Sequence, residues 1–247
     1  MLKNYLSFIL TFSGLLLLWQ TSIMIFNIPH YILPTPSAVI GAFQKNFTLI
    51  ISHSGITVIE TFLALALGIS AGSLLGLALA FSVRIKKLLL PLLIISQALP
   101  TFAIAPLIVI WAGFGLASKI IIAWLMIFFP ICSAFYDGLR NTPSAWIQFS
   151  QVQQASRYRT FRHIIIPAAL PAWASGIRLA AVTAPLGAIV GEWVGSSQGL
   201  GYLMMNANAR MQIALMFAVT MMIIVLSLSL YKIIDKILKK LIWWQPA

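Results

Sequence analysis

The chain has 247 residues, 61% of them hydrophobic and 8% charged, where soluble domains run at roughly 45–50% and about 25%. Sixteen Lys and Arg against four Asp and Glu give a net charge of +12, yet so few charges in total leave no basic face to lie along a phosphate backbone, which excludes a nucleic-acid binder together with an ordinary soluble enzyme. One cysteine, Cys132, excludes an intramolecular disulfide framework and any zinc site built on two or more thiolates.

A helix needs about 20 mostly apolar residues to cross roughly 30 Å of hydrocarbon. Residues 5–26, 56–81, 88–111, 120–136, 172–191 and 211–231 meet or approach that length, so the expected fold is all-α and polytopic, with about six transmembrane helices. The first stretch follows Lys3, but Trp19-Gln20-Thr21-Ser22 offers no small-x-small cleavage site, and a retained helix is expected rather than a signal peptide. After it come Pro29, Pro34 and Pro36, then Val39, Ile40, Phe43, Phe47 and Ile50 at helical spacing, which predicts a short amphipathic helix at the outer interface. In the second stretch Gly68-Ile69-Ser70-Ala71-Gly72 matches the nucleophile pattern of serine hydrolases. That motif needs a strand-to-helix elbow, whereas here Gly68, Gly72 and Gly76 repeat at the spacing of a packing groove between membrane helices.

Pro91, Pro100 and Pro106 must interrupt the third stretch, because each removes a backbone donor. Broken backbone at membrane depth is tolerated where it is buried in protein or lines a water-filled cavity, so a solute path is expected beside Gln97, Thr101 and Phe102. Within the spans the ionisable residues are Glu60 and Arg178; their opposite depths argue against a direct pair, and Arg178 suits either snorkelling to headgroups or a place on the path. Glu192, at the outer end of the fifth span, could contact an external protein, gate the path or pair with Arg210, and Thr183 on the same span completes the path candidates. His30, His53 and His163 are scattered and suggest no metal site.

Orientation follows from the basic residues. With the N-terminus inside, Lys3, Arg84, Lys86, Lys87, Arg140, Arg157, Arg159, Arg162, Lys232, Lys236, Lys239 and Lys240 all fall on the cytoplasmic side, against Lys45, Lys119 and Arg210 outside. Both termini are therefore expected to be cytoplasmic. The longest inside connection, residues 137–166, is polar and basic. Thr142 before Pro143 predicts an N-cap with Ala145, Trp146, Phe149 and Val152 on one face, and Ser156 predicts the cap of a second short helix with Tyr158, Phe161 and Ile165 on one side. Two capped helices, where a bare connector would need a few residues, suggest a docking surface for a cytoplasmic protein.

At this segment the chain resembles the permease subunits of bacterial type I ATP-binding-cassette importers. Their signature runs Glu-Ala-Ala, three residues, Gly, nine residues, Ile, one residue, Leu-Pro; here Ile164 and Pro167 match, Ile166 replaces Leu, Gln154 stands at the Gly, and Gln148-Phe149-Ser150 at Glu-Ala-Ala. Tyr31-Ile32-Leu33-Pro34-Thr35-Pro36, the run from Gln97 to Gly115 and the run from Val190 to Gln212 resemble the nitrate, sulfonate, taurine and thiamine-precursor branch. The last run looks most like permeases for hydroxymethylpyrimidine and related thiamine precursors.

The resemblance implies a type I importer permease fold, with residues 1–53 as an N-terminal helix and outer interfacial helix, 54–236 as the core, and 237–247 as a basic tail. It assigns ATPase coupling to Pro143, Trp146, Gln148, Phe149, Ser150, Gln154, Ala155, Ser156, Arg157, Phe161, Ile164 and Pro167, with motion passed onward through Pro167 and Pro171. A non-glycine residue at the Gln154 position costs roughly 1 kcal/mol if φ is positive, so a reshaped turn is the expectation. The chain has no Gly-Lys pair and hence no phosphate loop, so no catalytic or metal residue is assigned to it and ATP and Mg belong to a partner ATPase. The implied partners are a second copy of the chain, two cytoplasmic ATP-binding-cassette subunits, an external solute-binding protein and the bilayer of the bacterial inner membrane. Alkanesulfonate, taurine or nitrate remains the alternative cargo. A secondary transporter is the alternative class, disfavoured by the lack of an inverted repeat and by Glu60 being the lone acid within a span.

Overall fold

The computed structural model describes residues 2–244, with side chains described for residues 10, 11 and 13–244. Helices α1 (Leu2–Phe26), α2 (Pro36–Lys45), α3 (Phe47–Phe81), α4 (Val83–Ala98), α5 (Thr101–Ala112) and α6 (Leu116–Arg140) lead to two short helices, α7 (Ser144–Val152) and α8 (Arg157–Thr160). A π-turn at Phe161–Ile165 joins α8 to α9 (Ile166–Gly195), and α10 (Leu200–Ala209) and α11 (Ile213–Leu241) follow. No strand occurs among the described residues.

Among the described residues, four helical runs are long and apolar enough to cross a bilayer: α3, α6, the run Arg157–Gly195 and α11. The third stretch, expected over 88–111, is interrupted as its prolines require. It is two helices bent by 105°, with Leu99 and Pro100 extended between them. Pro100 has no N–H to continue the ladder and its ring disfavours helical backbone at Leu99, whereas Pro91 and Pro106 are accommodated inside α4 and α5. Helix α1, 25 residues long, contains the first expected stretch, 5–26. α3 continues through residues 53 and 54, and α11 through 236 and 237.

The core is a three-helix seam of α3, α6 and α9, made close by small residues on apolar helices. A Cβ added to Gly72 would lie 2.8 Å from the Phe128 carbonyl oxygen, one on Gly176 would lie 2.9 Å from that of Pro130, and one on Gly187 would lie 2.7 Å from the Ala123 Cα. The backbones therefore touch, and Gly68, Gly72 and Gly76 form the expected groove along α6. Ala64, Ala123, Ile127, Ile131, Ala180 and Ala184 fill the seam. Here lipid tails are as apolar as the side chains, so dispersion contacts rather than water exclusion hold the helices together.

α6 runs parallel to α3, from the Glu60–Lys119 contact to that of Gly76 with Phe135, and antiparallel to α9, which sets up two ends. α7 and α8 lie at one; the start of α3, the end of α9 and α10 meet at the other. α2 begins with Pro36, and its Thr35 N-cap accepts from the Ala38 N–H at 3.3 Å. Val39 is buried against α11 as an amphipathic helix requires, but Phe47 and Ile50 belong to α3.

Candidate functional site

At the end opposite α7, a polar network fastens α10 to the bundle. Helix N-termini carry backbone donors with no intrahelical partner, and α10 has three in succession, each met by a side chain from another element. The Gly199 N–H donates to His53 Nδ1 at 3.0 Å, the Leu200 N–H to Thr57 Oγ1 at 2.9 Å, and the Gly201 N–H to Glu192 Oε2. Thr57 in turn donates to Glu192 Oε1 at 2.6 Å. Gly199 has φ +105°, and a Cβ there would overlap the Glu192 carboxylate, so the loop closes on Glu192 because position 199 has no side chain.

Behind this clasp lies a buried ion pair. Lys119 Nζ sits 3.0 Å from Glu60 Oε1, and the Glu60 carboxyl also faces that of Glu192. Glu60 and Glu192 are 0% and 1% exposed, so both need partners inside the protein. Lys119, counted outside by its position in the sequence, is instead drawn into the bundle as the counter-ion of Glu60. The expected option of a Glu192–Arg210 pair is not realised, since Glu192 is taken by Thr57 and Gly201 and Arg210 is exposed.

The path candidates fall into separate places. Phe102 meets Trp193 edge-on at 6.2 Å, next to Glu192, and Gln97 is exposed on α4 just before the bend. Thr101 opens α5 and is half-buried. Thr183 turns its hydroxyl onto its own helix, to the Leu179 carbonyl at 3.1 Å. Arg178 lies 14 residues before Glu192 on α9, about 21 Å away along the axis. Its guanidinium bonds Asp235 of α11 at 2.7 Å, and Asp235 also takes Lys239 at 2.8 Å. Arg178 therefore pins α9 to α11.

At the other end α7 presents a solvent-facing apolar surface: Trp146, Phe149 and Val152 are all exposed. Gln148, Gln154, Ser156 and Arg157 are exposed as well, and Ala155, Phe161, Ile164 and Pro167 are half-buried. Ser150 differs, being buried and joined to α8 by the Thr160 hydroxyl at 3.1 Å. It ties α7 to α8 rather than facing outward. α7 starts at Ser144, with Pro143 as its N-cap, because the Thr142 hydroxyl turns back to the Leu139 carbonyl at 3.3 Å. Ser156 caps α8 as expected, accepting from the Arg159 N–H at 3.4 Å. Tyr158 is exposed and receives Arg162 at 3.1 Å, while Phe161 packs on Phe81 of α3 with ring centroids 4.2 Å apart. The turn is not reshaped: Gln154 keeps φ +54°, the backbone a glycine would hold. Between α7 and α9 a cavity of about 1020 Å³ is lined by Trp146, Phe149, Pro167 and Pro171, with Trp243 and Trp244 from the chain's far end.

Sequence reasoning missed Lys119, Thr57, His53 and Asp235. A buried Glu60 with no acid-neutralising neighbour on its own helix was the available signal for Lys119; nothing in the sequence singled out His53 as a cap.

Long apolar helices around a small-residue seam, with a helical segment carrying bare aromatics at one end, define a polytopic helical membrane protein. The model of the family described as "Binding-protein-dependent transport system inner membrane component" matches residues 64–243, and the chain belongs to this family. It is 50% identical over 229 residues to a probable ABC transporter permease protein of Haemophilus influenzae, covering 93% of this chain and 94% of that one. It is 34% identical to the formylaminopyrimidine transport permease protein of Halalkalibacterium halodurans (78% and 77% covered) and 31% identical to the riboflavin transport system permease protein of Chloroflexus aurantiacus (96% and 89%). A methionine ABC transporter in an inward-facing form superposes with a TM-score of 0.68 at 18% identity, covering 79% of this chain and 97% of that one, which shows the shared importer permease fold. The chain is thus the membrane-embedded permease subunit of an ABC importer.

Proposed function

We propose that two copies of this chain enclose a path for a small polar solute, a pyrimidine precursor of thiamine such as hydroxymethylpyrimidine, and move it inward when a separate ATPase works on α7. The observation that carries the reading is the exposed Trp146–Phe149–Val152 face, bound through Ser150 and Thr160 to a helix that ends at the Glu192 clasp. Arg157–Gly195 is one helical run of 39 residues, about 58 Å long, so displacement at α7 reaches α10 without crossing a flexible linker. Pro167, Pro171 and the π-turn at Phe161–Ile165 are where that run can flex.

The α7 end is cytoplasmic in this reading, because Arg84, Arg140, Arg157, Arg159, Arg162 and Lys240 gather there. Both termini are then cytoplasmic, in the inner membrane of a bacterium. ATP and Mg bind two ATP-binding-cassette subunits docked on the two α7 helices, and an external solute-binding protein delivers cargo to the α10 end. The 34% identity to a formylaminopyrimidine permease supports the pyrimidine, and the alternative cargo is an alkanesulfonate, taurine or nitrate.

Copurification tests the coupling. With a tag on this chain, its ATPase should co-elute in stoichiometric amount and be lost from a Trp146→Ala/Phe149→Ala variant that still reaches the membrane. Solute transport by the chain without any ATPase would refute it and favour a secondary transporter.

A further inference from the structure

At the α10 end a second cavity, of about 700 Å³, opens between the start of α3 and α10. None of the expected path residues lines it. His53 and Tyr202 line it with their rings stacked, centroids 6.0 Å apart and planes 23° from parallel. Because His53 Nδ1 accepts the Gly199 N–H, the neutral imidazole carries its proton on Nε2, and that donor has no partner among the described residues. Asn206 Nδ2 donates to the Tyr202 hydroxyl at 3.3 Å, which leaves the phenolic proton and Asn206 Oδ1 without a partner. The Gln198 side-chain amide is unpartnered too. No carboxylate lines the cavity, and Arg210 is its one permanent cation.

We infer that this cavity is a solute site on the permease itself and takes a planar, uncharged nitrogen heterocycle of pyrimidine size. Cavities of roughly 300–1,000 Å³ hold small molecules, and the lining of this one is mostly polar, which suits a polar solute. Here the flat face comes from Tyr202 and His53, and the lining offers both unpaired donors and unpaired acceptors, which suits ring nitrogens beside an exocyclic amine. A cationic solute finds no counter-charge. A sulfonate, with three oxygens to satisfy, finds one guanidinium. His53 both lines the cavity and caps Gly199, so an occupant that bonds His53 touches the clasp that holds α10. The inference rests on the pyrimidine cargo proposed above.

Its test is equilibrium dialysis of the purified permease–ATPase complex, without the binding protein, against tritiated hydroxymethylpyrimidine and, separately, tritiated taurine. The expected result is saturable pyrimidine binding, weakened about tenfold by Asn206→Leu and by Gln198→Leu, about one lost hydrogen-bonded contact each. Gln198 lies on an exposed loop with no side-chain partner, so its variant keeps the fold. Pyrimidine binding unchanged by both variants overturns the site and leaves the cargo intact. Taurine bound in place of the pyrimidine, and lost in the variants, overturns the heterocycle and the cargo together. Failure of the wild-type complex to bind either compound overturns the site, while pyrimidine uptake by intact cells still reports on the cargo.

Discussion

Thr57 gives its hydroxyl proton to Glu192 at 2.6 Å and receives the Leu200 N–H at 2.9 Å, so a single side chain of α3 joins α9 to the first turn of α10. Replacing it with valine keeps the shape and removes both bonds, taking the hydroxyl donor from Glu192 Oε1 and the acceptor from the Leu200 N–H. Thr57→Val should cost about 1–3 kcal/mol, read as a lower thermal midpoint of the purified protein, and Thr57→Ser should restore most of it. An unchanged midpoint in Thr57→Val would mean that α10 is held by packing alone.

Glu60 and Lys119 form a pair that is costly to break and cheap to replace. Lys119→Met strands an anion in the bundle and should destabilise by about 3–5 kcal/mol, whereas Glu60→Met/Lys119→Met removes both charges and should recover most of that. The four corners of a double-mutant cycle, followed by denaturant unfolding in detergent, decide it; additive losses would show that the two side chains do not interact.

Gln154 holds the left-handed backbone of the α7–α8 turn at φ +54°. Gln154→Gly relieves that strain but loosens the unfolded chain, for a net gain of about 0.5–1 kcal/mol, and Gln154→Val should lose more than that. A glycine variant no more stable than the parent would place the strain elsewhere.

The seam can be probed by volume. A side chain at Gly72 meets the Phe128 carbonyl, so Gly72→Leu should prevent accumulation of folded protein in the membrane, while Gly55→Ala, with nothing within 4 Å of its Cβ, should accumulate normally. Equal levels of the two would exclude the close α3–α6 approach.

The long apolar runs made most of the fold legible, because in a bilayer composition alone forces a helix at α3, α6, α9 and α11. Three prolines gave away the interruption between α4 and α5, but not that Pro100 alone breaks the helix while Pro91 and Pro106 are absorbed. Capping was read correctly at Ser156 and wrongly at Thr142, whose hydroxyl had a competing acceptor in the Leu139 carbonyl one turn back. Charge counting placed Lys119 outside because it sees chain position and not the acid waiting at Glu60. The clasp on α10 was legible only as a lone Glu192, since its other members, His53 and Thr57, lie 139 and 135 positions away and meet it through tertiary packing.

In the proposed mechanism ATP-driven motion enters the chain at α7. Its most direct test is uptake of labelled hydroxymethylpyrimidine into proteoliposomes that hold the complete importer, with binding protein outside the vesicle and ATP inside. Uptake should need ATP and fall at least about tenfold in Trp146→Ala/Phe149→Ala, the loss expected when two aromatic anchors leave an interface. Full ATP-dependent uptake by that variant, with the ATPase still bound, would contradict it.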